Sequence, residues 1–503
     1  MQHAPDASHE TLRNVVSRLC LAVVAVALLG SLLFCMAERG PWYDEFYTWY
    51  VTGPQFGLGD AFAHHWLADN HPPLFYMLVR AGRLVWENIE GLRLINVVIG
   101  GTAFACASLS LRGDRRTAAL GLILFLFIAS QRATLLYGSE LRSYFFSLCA
   151  TALLVMGLTA LYRKGTPGDR VSRFTLAAAI ALSFNIHIVT TLVSGAVIVP
   201  FLVALLVQRQ FAAFRSVFIP AMVSGLVFLG VTALQLPLWA QNTRSFWITP
   251  GFTAGWQTIR ITAQRVIEAN PVIAILGAIG LVMLVVQWLR RRERNADLEA
   301  AVLLGLGGLL SISALLALHL WRPILIEKYL TGLIPVAGMA LAIGMDRVLR
   351  QAPPKLAAVL LIFATSASLY AMNTVRIETA AEKSWEGTAT ALGKIASQCP
   401  DTAVHIDPLW NDEVVRAPPR DNAQVVAAAY HLMAKRHGFT VEPPASRRVS
   451  ARCPTVFWAE HDTRGLYDAP RILAHEQQMG FAVSEVSQTR IDNGWLAVST
   501  PAP

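Results

Sequence analysis

Apolar residues run along this chain in blocks about as long as a membrane-spanning helix, with short polar segments between them. Runs such as Leu19 to Cys35, Ile180 to Val207 and Pro271 to Leu289 carry almost no charge. A hydrocarbon core about 30 Å thick takes roughly 20 apolar residues per helix, and the runs fit that length. The pattern predicts about eleven helices. They lie near 15–37, 92–111, 117–130, 143–162, 174–188, 190–207, 217–236, 271–289, 301–320, 328–345 and 356–372. After residue 373 the pattern changes. His405 to Trp410, Thr455 to Trp458 and Trp495 to Val498 read as short strands, and Ala423 to Lys435 as a helix. The expected organisation is a transmembrane domain over 1–372 and a soluble α/β domain over 373–503, long enough to bury its own core.

Composition supports this division. Hydrophobic residues make up 54% of the 503, charged residues only 15%, and mean hydropathy is +0.46. An average soluble domain carries roughly 25% charged residues, so an ordinary soluble protein is excluded. The net charge of +9 does not point to nucleic acid, because the basic residues sit in short clusters between apolar runs. Such clusters occur at Arg112, Arg115 and Arg116, at Arg163 and Lys164, at Arg290 to Arg292, and at Arg347 and Arg350. By the positive-inside rule these loops, and the N-terminus with them, are cytoplasmic. The loops 38–91, 131–142, 237–270 and 321–327 and the tail from 373 then face outward. The run after Arg13 and Arg18 lacks a clear small-residue cleavage site and reads as a retained first helix. Of six cysteines, Cys399 and Cys453 lie in the tail and can pair in an oxidising compartment.

Candidate chemistry gathers in the outward loops. In 38–91, Asp44 and Glu45 are embedded among Trp42, Tyr43, Phe46, Tyr47, Trp49 and Tyr50, a composition suited to helices lying in the membrane interface. Their plain structural role would be a carboxylate pair at a helix N-terminus. Asp69, Asn70 and His71 precede Pro72 and Pro73, which fix the backbone before a new helix. Glu140, Arg142 and Tyr144 lie before the fourth helix, where an arginine often only snorkels to the surface. Glu327, Lys328 and Tyr329 open the tenth, where the lysine needs a route to the surface or an anionic partner. Each motif alone is weak. Their shared side of the membrane strengthens a functional reading.

With these motifs in order, the chain resembles the GT-C superfamily of polyprenyl-phosphate-sugar glycosyltransferases. It is most similar to the branch of protein O-mannosyltransferases and the lipid A aminoarabinose transferase. The resemblance rests on Trp42-Tyr43-Asp44-Glu45, His71-Pro72-Pro73-Leu74, Glu140-Leu141-Arg142-Ser143-Tyr144 and Lys328-Tyr329-Leu330 with Pro335. It covers roughly residues 15–372; the tail matches nothing nameable.

The resemblance implies a bacterial inner-membrane enzyme that moves a sugar, with inversion, from a polyprenyl phosphate to an extracytoplasmic lipid, glycan or protein. In this reading Asp44 is the general base for the acceptor hydroxyl, which is a poor nucleophile while neutral. Glu45 orients an acceptor or a cation beside it. Arg142 and Lys328 stabilise the leaving phosphate. His71, Glu140, Tyr144 and Tyr329 contact substrate. Some relatives use a divalent cation, but this sequence has no dense carboxylate and histidine ligand set, so no obligatory metal is expected. The aromatic continuation after Asp44 and Glu45 departs from the Ser/Arg-rich one of the aminoarabinose branch, which leaves the acceptor open. The alternatives are a transporter or flippase of a lipid-linked sugar and a non-catalytic scaffold. A transporter usually shows internal repeats and broken helices, and neither is visible here.

Overall fold

The computed structural model describes residues 7–69, 71–112, 114–242, 248–406, 421–460, 468–492 and 494–501. These fall into two compact units. The first comprises residues 1–34, 57–85 and 92–377, and the second 35–56, 86–91 and 378–503.

Helices dominate the chain. In order, α1 is Ala7–Glu38, α2 Tyr43–Val51, α3 Leu58–Asp60, α4 Leu74–Gly82, α5 Ile89–Ser110, α6 Arg115–Ala129 and α7 Arg132–Gly138. Then come α8 Tyr144–Lys164, α9 Arg170–Asn185, α10 Ile188–Val207, α11 Phe211–Asn242, α12 Phe252–Glu268, α13 Pro271–Arg291 and α14 Ala296–Trp321. A 3-10 turn at Glu327–Leu333 leads into α15 Ile334–Gln351, followed by α16 Pro354–Ala381 and α17 Glu386–Gln398. The second unit continues with β1 Ala403–Ile406, α18 Asp421–Arg436, β2 Thr455–Ala459, α19 Ala469–Gln478, β3 Val483–Ile491 and β4 Gly494–Pro501.

Local chemistry sets the helix ends. Asp114 accepts from the Thr117 amide at the start of α6, Asn270 from Ile273 at α13, and Asn295 from Asp297 and Leu298 at α14. Each side chain satisfies an amide that the first helical turn leaves without an internal acceptor. Gly165, at φ +67°, ends α8 in the left-handed conformation that glycine tolerates best.

The chain is a polytopic membrane protein. Among the described residues nine helical stretches are long and apolar enough to cross a membrane, or ten if α6 and α7, bent by 69°, count as one span. The expected helix near 174–188 is α9, whose 16 residues keep it out of that count although it runs back between α8 and α10. The expected loop 131–142 is half helix, since α7 occupies Arg132–Gly138, and the expected loop 237–270 contains α12.

Within the first unit, α13 and α15 come into backbone contact. A Cβ added to Gly280 would stand 1.7 Å from the Gly344 carbonyl oxygen, and one on Gly277 would stand 2.8 Å from the Leu341 oxygen. Small residues at a membrane-helix crossing allow this approach, and the contact it gains replaces the hydrophobic drive that lipid removes.

The second unit is a four-stranded sheet with helices. Its order is β1-β2-β4-β3, with β1 parallel to β2 and the other pairs antiparallel. The strands expected at 455–458 and 495–498 are β2 and β4. Of the strand expected at 405–410, residues 405–406 belong to β1, which begins at Ala403, and 407–410 lie outside the described residues. β3 was not expected, because its outward positions are polar and it reads as a loop.

The division into units also differs from the expected 1–372 and 373–503. Phe46 of α2 packs on Trp385 at 4.8 Å between ring centroids, and Trp385 in turn packs on Tyr430, also at 4.8 Å. Burying these aromatic faces draws residues 35–56 into the same core as the tail. Trp49 donates to the Glu87 carbonyl and Arg39 pairs with Glu382. Cys399 and Cys453 form a disulfide with Cα atoms 5.6 Å apart, tying the end of α17 to the turn before β2.

Candidate active site

In the first unit, buried polar groups converge where α8 and α10 begin. Asp69 and His71 come from the segment before α4. Asp69 lies 3.0 Å from His71 Nδ1 and accepts from the Tyr76 hydroxyl. The segment is held by Gln235 of α11, whose amide donates to the carbonyls of Asp69 and His71 at 3.0 Å each. An ionised carboxylate can only accept, so His71 donates from Nδ1, and in the neutral ring Nε2 is then an acceptor. That Nε2 is buried and has no hydrogen-bond partner among the described residues.

His71 faces aromatic rings on two sides. Its ring centroid is 4.8 Å from that of His187 and 6.2 Å from that of Tyr144. Tyr329 closes the group, 5.0 Å from His187 and 6.0 Å from Tyr144. Lys328 holds its ammonium 5.3 Å above the Tyr144 ring, within cation–π range. Arg142 Nη1 donates to the Tyr76 hydroxyl at 3.4 Å. Glu140 is buried in the same turn, and Asn96 fixes that turn by donating to the carbonyls of Gly138 at 3.1 Å and Glu140 at 2.7 Å.

Electrostatics follow from this arrangement. Burial would raise the Asp69 carboxyl, but His71, Arg142 and the Tyr76 hydroxyl outweigh it and hold the group at about 2. His187 is pushed well below the ordinary histidine value, first by burial and then by His71, Arg142 and Lys328. It also accepts from the Val189 amide as the cap of α10, so it is a neutral ring in a cationic neighbourhood.

No protein-family model matches the chain, and no curated protein does. Two solved structures are similar to it over nearly its whole length. They are ArnT from Cupriavidus metallidurans in the apo state and the same protein bound to undecaprenyl phosphate. Each is 13% identical, covers 95% of this chain and 97% of its own, and gives a TM-score of 0.51. The arabinosyltransferase EmbB from Mycobacterium smegmatis gives a TM-score of 0.37 at 14% identity, over 72% of this chain and 39% of its own. The chain shares the fold of ArnT.

Within this fold, His71, Arg142, Tyr144, Lys328 and Tyr329 lie close together, with Glu140 in the supporting turn. Asp44 and Glu45 belong to the second unit. There Asp44 is half-buried in the first turn of α2. Glu45 is fully buried, and one of its oxygens accepts from the Trp42 amide at 3.0 Å. That oxygen caps the helix, which is the structural role open to a carboxylate at this position. Sequence reasoning missed the partnership of Asp69 with His71, the place of His187 in the group and the support from Gln235. A histidine within an apolar stretch and Asp69 two residues before His71 were the available signals. Among the described residues no three His, Cys, Asp or Glu side chains form a metal-binding group.

Proposed function

We propose that this protein is an inverting glycosyltransferase that moves a sugar from a polyprenyl phosphate to a hydroxyl of an extracytoplasmic lipid, glycan or protein. The observation that carries this reading is the cluster of Asp69, His71, Arg142, Tyr144, His187, Lys328 and Tyr329, of which His71, Arg142, Tyr144 and His187 are buried, within a GT-C fold. The similar ArnT structure that holds undecaprenyl phosphate supports a polyprenyl phosphate as the donor lipid. The acceptor hydroxyl gives its proton to a base, its oxygen bonds to the anomeric carbon, and the carbon–oxygen bond to phosphate breaks with its electron pair on the phosphate. Arg142 and Lys328 are the proposed cations for that developing charge. Nε2 of His71 is the proposed acceptor for a substrate hydroxyl, with Tyr144, Tyr329 and Glu140 lining the site.

Asp44 is the proposed base, with Glu45 beside it; these roles rest on the sequence resemblance. A divalent cation has no step assigned to it. The basic loops support an inner-membrane protein with its N-terminus cytoplasmic and residues 373–503 outside.

The test is transfer of radiolabelled sugar from a panel of polyprenyl-phosphate sugars, in membranes containing native acceptors. Wild type should transfer from at least one donor. Asp44→Asn and His71→Ala, folded by the same criteria, should lose roughly 100-fold or more in rate. Equal transfer by Asp44→Asn removes Asp44 as base and leaves the enzyme class standing. Labelled lipid crossing the bilayer without transfer would favour a flippase.

A further inference from the structure

A polar cavity of about 720 Å³ lies at the opposite end of α8 from Tyr144. α8 has 21 residues, so at 1.5 Å per residue its two ends are roughly 30 Å apart. The cavity is therefore separate from the Asp69–His71 cluster. It is framed by the first turns of α6 and α14 and the last turn of α8. Its lining includes five cations, Arg115, Arg116, Arg163, Lys164 and Arg294, against two carboxylates, Asp114 and Asp297.

Both carboxylates are already engaged. Asp297 accepts from Arg163 Nε at 3.0 Å, from Arg350 at 3.1 Å and from Arg116. Asp114 accepts from Lys164 at 3.0 Å and from the amide and hydroxyl of Thr117. Outside the lining, Asp346 offsets Arg350 at 2.8 Å and Glu299 offsets Arg294 at 3.1 Å. The cavity wall still carries more positive charge than its acids neutralise. Two helix N-termini add to it, since α6 and α14 both present their positive ends here.

The independent observation is Arg163. Its side chain is 8% exposed, it lines the cavity, and its Nη1 has no hydrogen-bond partner among the described residues. A buried charged donor left unsatisfied is costly, and a bound anion removes that cost. Basic pockets between membrane helices take phosphate head groups for the same reason.

We propose that this cavity binds a phosphate group, carried by an anionic phospholipid or free in solution. The site does not depend on the transferase reading, because it uses none of the residues assigned to transfer. The test is native mass spectrometry of the purified full-length protein with phosphatidylglycerol, phosphatidylcholine or inorganic phosphate. Wild type should retain phosphatidylglycerol or phosphate over phosphatidylcholine, and Arg163→Gln should weaken that binding roughly fivefold. Because Arg163 is buried, the exposed pair Arg115→Gln and Arg294→Gln, checked for an unchanged Tm, is the second variant and should weaken it further. Phosphatidylglycerol that inorganic phosphate does not displace identifies the lipid as the source. Binding of inorganic phosphate alone identifies the soluble anion. Equal retention of both lipids with no phosphate bound overturns the proposal, as does unchanged binding in both variants.

Discussion

Asp69 keeps its charge in a buried position because three groups are arranged to favour the carboxylate. Its folded value, about 2, lies below the ordinary 3.8. It therefore contributes stability above the ordinary value and loses it as pH falls toward about 2. Asp69→Ala removes the carboxylate that accepts from Tyr76 and that Arg142 stabilises, and should cost about 3 kcal/mol, read as a lower Tm of the purified protein at neutral pH. Glu460, in the second unit, behaves in the opposite way. Burial raises its carboxyl from 4.5 to about 7, aided by Asp492 and opposed by hydrogen bonds from Thr388 and Trp458. Its contribution is present below the ordinary carboxylate value and is lost as pH rises through about 7. Glu460→Gln should flatten that dependence, giving a higher Tm than wild type at about pH 8 and little change at about pH 5. At this scale the sequence made His71, Arg142 and Lys328 legible by residue type and neighbours. It did not reveal Asp69 beside His71, Gln235 holding both carbonyls or His187 in the group, because each is defined by side chains that meet only after folding.

Among the elements, hydrophobic run length was a sufficient guide to the long helices, and cap residues such as Asn270 and Asn295 mark starts that could be read directly. Short or half-polar elements were hidden. α7 and α12 look like loop, and β3 alternates too weakly to stand out from its polar surroundings. The α13–α15 contact depends on glycines that the pattern alone treats as neutral. Gly344→Ala would place a Cβ 2.0 Å from the Gly277 carbonyl oxygen, so the two helices must separate. We expect a loss of about 1–3 kcal/mol, measured as a fall in Tm in detergent. An alanine at Gly305, which has open space around it, is the control and should change Tm little.

The whole molecule was legible as a membrane part and a soluble part, but the boundary between them was not. Hydropathy assigns a residue to lipid or water and says nothing about which distant segment covers an aromatic face. The aromatic stretch around Phe46 therefore read as a loop of the membrane domain, although its packing partners are Trp385 and Tyr430. That arrangement has a consequence for synthesis. The ribosome makes Phe46 more than three hundred residues before Trp385, an interval on the order of half a minute at usual elongation rates. Through that time α2 exists without the surface that completes its core, and nearly all of the spanning helices are inserted first. The second unit can close only when translation has passed β4. A chain halted before residue 378 would thus bring its membrane helices to the bilayer while exposing Phe46 to whatever quality control reads apolar surface.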